Sequence, residues 1–300
     1  MFRQDQRKIA SGAVITRDPT GVDSGMSVVS RSLGLALLVT GCGWDAPPVE
    51  WQAPTPIASA RDSAARYAAH WSPGAAPEVT VRQEGPAGPD TTSLLAACPG
   101  SVVRTPMVRG SAWGVWWQIR DDSSAVLMAA RYDSVGVSMR RLVVDSLDKA
   151  LLGCARPAPA VAVDSINGYL HVGYFMVAPE GPGLFYAHLM DPRATAFELP
   201  MAVVYGERPS RVALASRGDT VAVAYEDPNS EAGRIAMSLS FTAGHLFEQT
   251  ARIIPVSTSS QTAAAPQIVR LGGGELWVGW TELSQSGSAF LLRRARIVTR

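Results

Sequence analysis

Residues 170–174 read Leu-His-Val-Gly-Tyr, and the same arrangement returns at 221–225 as Val-Ala-Val-Ala-Tyr, at 276–280 as Leu-Trp-Val-Gly-Trp and at 113–117 as Trp-Gly-Val-Trp-Trp. Alternation of large apolar side chains with a period of two places each set on one face of a β-strand, and the small residues Gly114, Gly173, Ala224 and Gly279 fall on the opposite face. The terminal aromatics Trp117, Tyr174, Tyr225 and Trp280 are 57, 51 and 55 residues apart. A spacing that regular is the mark of a repeated structural unit.

Working outward, a proline and a short apolar run precede each anchor: Pro106 with Met107 and Val108, Pro159 with Val161 and Val163, Pro209 with Val212 and Leu214, Pro266 with Ile268 and Val269. A turn and a third apolar stretch follow it, at 125–131, 183–188, 234–238 and 289–294. The first three repeats add a fourth, at 141–144, 201–205 and 251–256. Four strands in about fifty residues predict an all-β fold, a small β-propeller of about four four-stranded blades spanning residues 77–300. A degenerate fifth blade drawn from 60–100 and a stack of sheets that does not close are the alternatives. The last repeat ends without a fourth strand, and the run Glu78 to Arg82 is the candidate to supply it from the other terminus.

The N-terminal region has a different character. Residues 26–42 read MSVVSRSLGLALLVTGC, with one cation at Arg31, an apolar run from Leu33 to Val39, and small residues before Cys42. The apolar run is too short to cross about 30 Å of hydrocarbon, and its layout is that of a secretion signal. The sequence Val39-Thr40-Gly41-Cys42 resembles the bacterial lipobox. That resemblance implies cleavage before Cys42, acylation of its thiol and amino group, and a lipid anchor in the cell envelope. Residues 1–41 are then a signal region with Met26 as the better start. Residues 42–76, carrying Pro47, Pro48, Pro54, Pro56 and Pro73 among alanines and serines, form a lipidated tether with room for a short helix at 58–70. Gly43 after the cysteine, where an Asp would resemble an inner-membrane retention signal, points to the outer membrane if the cell is Gram-negative.

Charge argues against nucleic acid as a partner. The chain carries 27 Lys plus Arg against 26 Asp plus Glu, only Lys8 and Lys149 are lysines, and no dense basic patch stands out. Cys98 and Cys154 lie at nearly equivalent places in adjacent repeats, so an exported chain could join them in a disulfide or keep two buried thiols. The histidines at 70, 171, 188 and 245 show no metal-ligand spacing, and the expectation is neither a metal nor another cofactor. Acidic pairs at Asp121-Asp122 and Glu226-Asp227 read as solvated turns, with a calcium role for oxygen-rich loops as the alternative, and Gly272-Gly273-Gly274 as a hairpin. Trp113, Trp116, Trp117, Trp277 and Trp280 read as core, with a carbohydrate-stacking patch as the sharper alternative.

After the third strand of the third repeat stands Ser240-Phe-Thr-Ala-Gly244-His-Leu-Phe247. It resembles a degenerate Asp-box, the S-x-D-x-G-x-x-W/F hairpin of sialidase-like propellers, with Ser240, Gly244 and Phe247 in place and Thr242 where the carboxylate belongs. In that family the box is structural. Sialidase chemistry would need an arginine cluster, a tyrosine nucleophile paired with a carboxylate, and an acid. Arginines stand at 104, 109, 120, 140, 141, 211, 234 and 270, yet no local motif gives them those roles. The expected function is a noncatalytic extracytoplasmic binding or scaffold lipoprotein that recognises a protein or glycan. A glycan hydrolase of sialidase-like type is the alternative.

Overall fold

The computed structural model describes residues 49–57, 97–98, 101–120, 124–133, 138–150, 153–247 and 253–298. They form an all-β fold of four antiparallel sheets, one for each repeat. The first sheet holds β3 (Val103–Arg104), β4 (Ser111–Ile119), β5 (Ala125–Asp133) and β6 (Ser138–Asp145). In the second are β7 (Ala160–Val163), β8 (Leu170–Ala178), β9 (Gly181–Leu189) and β10 (Met201–Tyr205), and in the third β11 (Val212–Arg217), β12 (Thr220–Glu226), β13 (Ile235–Ser240) and β14 (Ile254–Pro255). Strands follow chain order in each, as in a propeller blade.

The fourth sheet borrows from the other end of the chain. Strands β15 (Thr262–Gly272), β16 (Glu275–Ser284) and β17 (Gly287–Ile297) are completed by β1 (Val49–Trp51) and β2 (Thr55–Ile57), both antiparallel to β17. Strand exchange between termini was expected, but from a different segment: Val49 pairs with Ile297 and Trp51 with Ala295, while Glu78 to Arg82 lies outside the described residues, as does the expected helix at 58–70. Residues 49–57, read from their prolines as tether, therefore belong to the sheet. The prolines fit because β1 and β2 are short stretches on the outer edge of β17, interrupted by Pro54, and an edge strand tolerates a missing donor. Arg293 secures the arrangement, with its guanidinium 4.7 Å from the Trp51 ring and Nε donating to Gln52 O at 2.9 Å.

A second correction concerns the first sheet. Its inner strand is Val103–Arg104, ahead of Pro106; Met107 is exposed, and Val108 bridges to Ser111 across the turn. Proline cannot donate to a ladder, and Arg109 (φ 50°) followed by Gly110 (φ 76°) reverses the chain there.

The anchor residues are buried throughout, with Trp117, Tyr174, Tyr225 and Trp280 all at 0% exposure. Each buried ring removes about 150–250 Å² from water, an upper contribution of about 4–6 kcal/mol at about 25 cal/mol per Å². In the second, third and fourth repeats the anchor face turns toward the preceding sheet: Leu170, Val172 and Tyr174 pack on the first, Val221, Val223 and Tyr225 on the second, and Leu276, Val278 and Trp280 on the third. The first sheet is reversed. Its Trp113, Val115 and Trp117 meet Leu170, Val172 and Tyr174 face to face, with Trp117 edge-on to Tyr174 at 6.0 Å. Trp116, also at 0% exposure, takes the opposite direction. A slip of one residue in a strand flips every side chain to the other face, and Trp116 rather than Trp117 thereby points as Tyr174, Tyr225 and Trp280 do.

The small residues opposite the anchors have a specific purpose. At Gly279, paired with Leu292, the ring of Phe290 lies where a Cβ would stand, and at Gly173 a Cβ would press Val212 of the third sheet at 3.2 Å. Gly279→Ala is expected to lower stability by about 1–3 kcal/mol through overpacking, read as a fall in the denaturant midpoint. Adding Phe290→Leu should recover part of it; a double variant no better than the single one would refute this account of Gly279.

Candidate functional site: an arginine-lined cleft and a histidine cluster

A cleft of about 200 Å³ opens between the first and second sheets, with Arg109, Arg131, Arg193, Asp191 and Trp113 among its walls. Arg131, two residues before the end of β5, lies directly across from Trp113 in β4, so the period of two aims both at the second sheet. Its Nε is buried and has no hydrogen-bond partner among the described residues. Arg109 crosses the seam from the turn before β4, donating to Ile166 O and lying against Gly168. Gly168 (φ 83°) closes a turn capped by buried Asp164, whose Oδ1 accepts from Ile166 N at 2.7 Å and Asn167 N at 3.0 Å.

Arg193 comes from the loop after β9. Its N–H donates to Asp191 Oδ1 at 2.8 Å, and its carbonyl accepts from Arg140 Nη1 at 2.8 Å, which ties the loop to the first sheet. Three arginines and one carboxylate thus line the cleft, in a chain whose overall charge is close to zero. A partly buried cation with an empty donor favours an anion, because charge-assisted bonds to guanidinium are strong and often bidentate.

The second constellation lies between the second and third sheets. His171 and His188 pair across β8 and β9, on the face opposite the anchors, and both are buried. The Tyr186 hydroxyl is 2.5 Å from His171 Nδ1. Burial, and then the Glu198 charge, pushes the tyrosine pKa up. Tyr186 therefore keeps its proton and donates, which leaves the ring proton of His171 on Nε2. Burial, helped by His188 and His245, holds His171 down to about 3. His188 is also lowered, by burial first, with Glu198 opposing.

The turn after β13 covers this cluster. Ser240 Oγ accepts from Gly244 N at 3.0 Å and Thr242 N at 3.3 Å, while Thr242 Oγ1 accepts from Leu246 N at 2.9 Å. A threonine hydroxyl is thus accepting a backbone donor where the resembled box has a carboxylate. Phe247 packs edge-on to Tyr186 at 5.1 Å, and Gly244 is required because any side chain there would strike the Tyr186 hydroxyl. At the rim, the His188 and His245 rings are 4.8 Å apart, and Glu198 Oε2 lies 3.1 Å from His188 Nε2 and 3.6 Å from His245 Nδ1.

Cys98 and Cys154 are bonded, Cα to Cα 5.2 Å, closing a loop with a sequence separation of 56. Around them the first seam is polar as well as apolar: Tyr174 donates to Asp145 at 2.6 Å, Arg156 pairs with Asp148 at 2.5 Å, and Trp117 Nε1 donates to Pro157 O at 3.1 Å. Glu226 is structural, its Oε1 accepting from Ala265 N at 2.9 Å across to the fourth sheet, and Asp227 caps a turn at Asn229 N, 2.9 Å away. Gly272 to Gly274 form the β15–β16 turn. Trp277 lies between Arg270 and Arg294, at 5.4 Å and 4.2 Å. Cys42, His70, Asp121 and Asp122 lie outside the described residues.

Of the arginines singled out from the sequence, only Arg109 lines the cleft; Arg131 and Arg193 were missed, as was Glu198. Arg131 carried a readable signal, a cation at the core-facing parity of an apolar strand. The loop residues carried none. The four histidines showed no ligand spacing along the chain, yet folding brings two of them together with Glu198.

No family model matches the sequence, and neither does any curated protein sequence. Among solved structures, a subtype N11 neuraminidase-like protein of A/flat-faced bat/Peru/033/2010 (H18N11) is 12% identical with a TM-score of 0.39, covering 62% of this chain and 58% of its own. An α-L-arabinanase of Cellvibrio cellulosa is 10% identical with a TM-score of 0.39, over 63% of this chain and 71% of its own. The intramolecular trans-sialidase of Ruminococcus gnavus is 11% identical with a TM-score of 0.40, over 63% and 42%. The chain spans a little over half the length of the neuraminidase-like protein.

The buried histidine makes stability depend on pH. The unfolded chain protonates His171 near 6.5, whereas the folded one, with Tyr186, His188 and nearby His245 and Glu198 facing the ring, resists until about 3. Below about 6.5 the unfolded state binds more protons, so stability is lost as pH falls, at about 1.4 kcal/mol per pH unit for this group. His171→Asn, which keeps an acceptor for Tyr186, should flatten that acid limb in denaturant melts between pH 6 and 4 by about one proton's slope. An unchanged slope would contradict the assignment.

Proposed function

We propose that this chain is a noncatalytic extracytoplasmic recognition lipoprotein whose cleft between the first and second sheets takes an acidic group of a glycan. The observation that carries this reading is the convergence of Arg109, Arg131 and Arg193 on one cleft, with the Arg131 Nε buried and unpaired among the described residues. A carboxylate or sulfate could bridge these donors and use the wall of Trp113 as an apolar rest. Membrane attachment through an acylated Cys42 belongs to the same reading. The bonded Cys98–Cys154 pair supports it, because such bridges persist in oxidising compartments.

A glycan hydrolase is the second reading, and Asp191 at the mouth of the cleft favours it. Two-carboxylate hydrolysis needs a partner about 5–9 Å away. Among the described lining residues Asp191 is the one carboxylate, and nearby Asp164 is buried within its turn.

Binding to immobilised acidic and neutral oligosaccharides separates the readings. The chain should retain acidic ones, weakening as salt rises, and Arg193→Ala or Arg131→Gln should reduce binding about ten- to a hundredfold for each charge-assisted pair lost, about 1.5–3 kcal/mol. Equal retention of neutral sugars would sink the acidic-ligand reading. Turnover abolished by Asp191→Asn would establish the hydrolase instead. For the anchor, Cys42→Ala should move the protein from the membrane to the soluble fraction, and persistence in the membrane would refute lipidation.

A further inference from the structure

We propose that His188, Glu198 and His245 form a Zn²⁺ site that pins the second sheet to the third and leaves one coordination position open. Their ligand atoms all lie within 4.8 Å of one another. Glu198 Oε2 is 3.1 Å from His188 Nε2 and 3.6 Å from His245 Nδ1. Tetrahedral zinc, with bonds of about 2.0–2.2 Å, sets neighbouring ligand atoms about 3.4 Å apart, a value that falls between those two separations.

The contacts within the trio are not hydrogen bonds. At 3.6 Å the His245 contact is too long. His188 Nε2 is buried and has no aligned acceptor, although a carboxylate oxygen stands 3.1 Å away. Three ligand atoms gathered at ion-pair distance with no hydrogen bond among them is the arrangement that a shared ion organises.

The donor set selects the ion. Two imidazoles and one carboxylate suit zinc, while calcium and magnesium prefer oxygen ligands alone. Position is fixed from both sheets. His188 is the last residue but one of β9, and the backbone N–H of Glu198, ten residues on, donates to His188 O at 3.1 Å. His245 comes from the turn after β13 that Ser240 and Thr242 hold through backbone N–H groups. Beneath them, His171 and Tyr186 form a buried floor bonded to itself. On the outer side the side chains of Glu198 and His245 are 41% and 43% exposed, so a water or an anionic ligand can take the fourth position. The site is separate from the arginine cleft, and neither depends on the other.

The full chain, stripped with a chelator, is titrated with ZnCl₂ by calorimetry and by thermal melting. One zinc per chain and a raised melting temperature are expected. His245→Ala and Glu198→Gln change exposed side chains, so both variants should melt like the wild type without metal, yet bind zinc at least roughly tenfold more weakly and lose the metal-dependent rise. Absence of stoichiometric zinc binding would overturn the proposal. So would binding that survives in the double variant, which would place the metal elsewhere on the chain, or equal binding of Ca²⁺, which would refute the donor-set argument.

Discussion

The second and third sheets are apolar on both faces, and a four-stranded sheet cannot keep two such faces in water. Stacking is the only remedy, and everything else in the structure follows from it. Buried clusters join the first sheet to the second, the second to the third and the third to the fourth. Small residues allow the sheets to approach, large rings fill the gaps between strands, and glycines sit where a neighbour's ring has taken the space of a Cβ.

Because the seams carry the stability, they are also where polar groups are held with most constraint. The first seam combines the Cys98–Cys154 bond with the buried Asp148–Arg156 pair and the Tyr174–Asp145 hydrogen bond. At the second, the Tyr186 hydroxyl bonds His171 Nδ1, while His171 Nε2 is buried with no hydrogen-bond partner among the described residues. Both candidate sites open at the ends of these seams, where turns from two sheets meet and where side chains far apart in sequence come within a few ångströms. Sheets give such groups a rigid base, and the turns give them access to solvent.

The most legible part of the chain was the strand bearing each anchor. Alternation between large and small residues in Leu170–Tyr174 or Leu276–Trp280 is a local property, and the buried triplets of the second, third and fourth repeats follow from it directly. Legibility failed where two registers were equally apolar. In Trp-Gly-Val-Trp-Trp both parities carry a tryptophan, so nothing local decides which face meets the second sheet. Residues 49–57 posed a different difficulty, since three-residue strands with prolines between them look like tether until β17 supplies an edge for them.

By itself the sequence determined that the chain is built of repeated β units with apolar faces, since a period of two is set by the backbone of a strand and needs no partner to be recognised. Only the tertiary structure decided which sheets adjoin, which end of the chain completes the last one, and that Arg109 meets Arg131 and Arg193 while His188 meets Glu198 and His245. Those meetings depend on the order and orientation of whole sheets, a long-range outcome of burying both faces that no stretch of sequence contains.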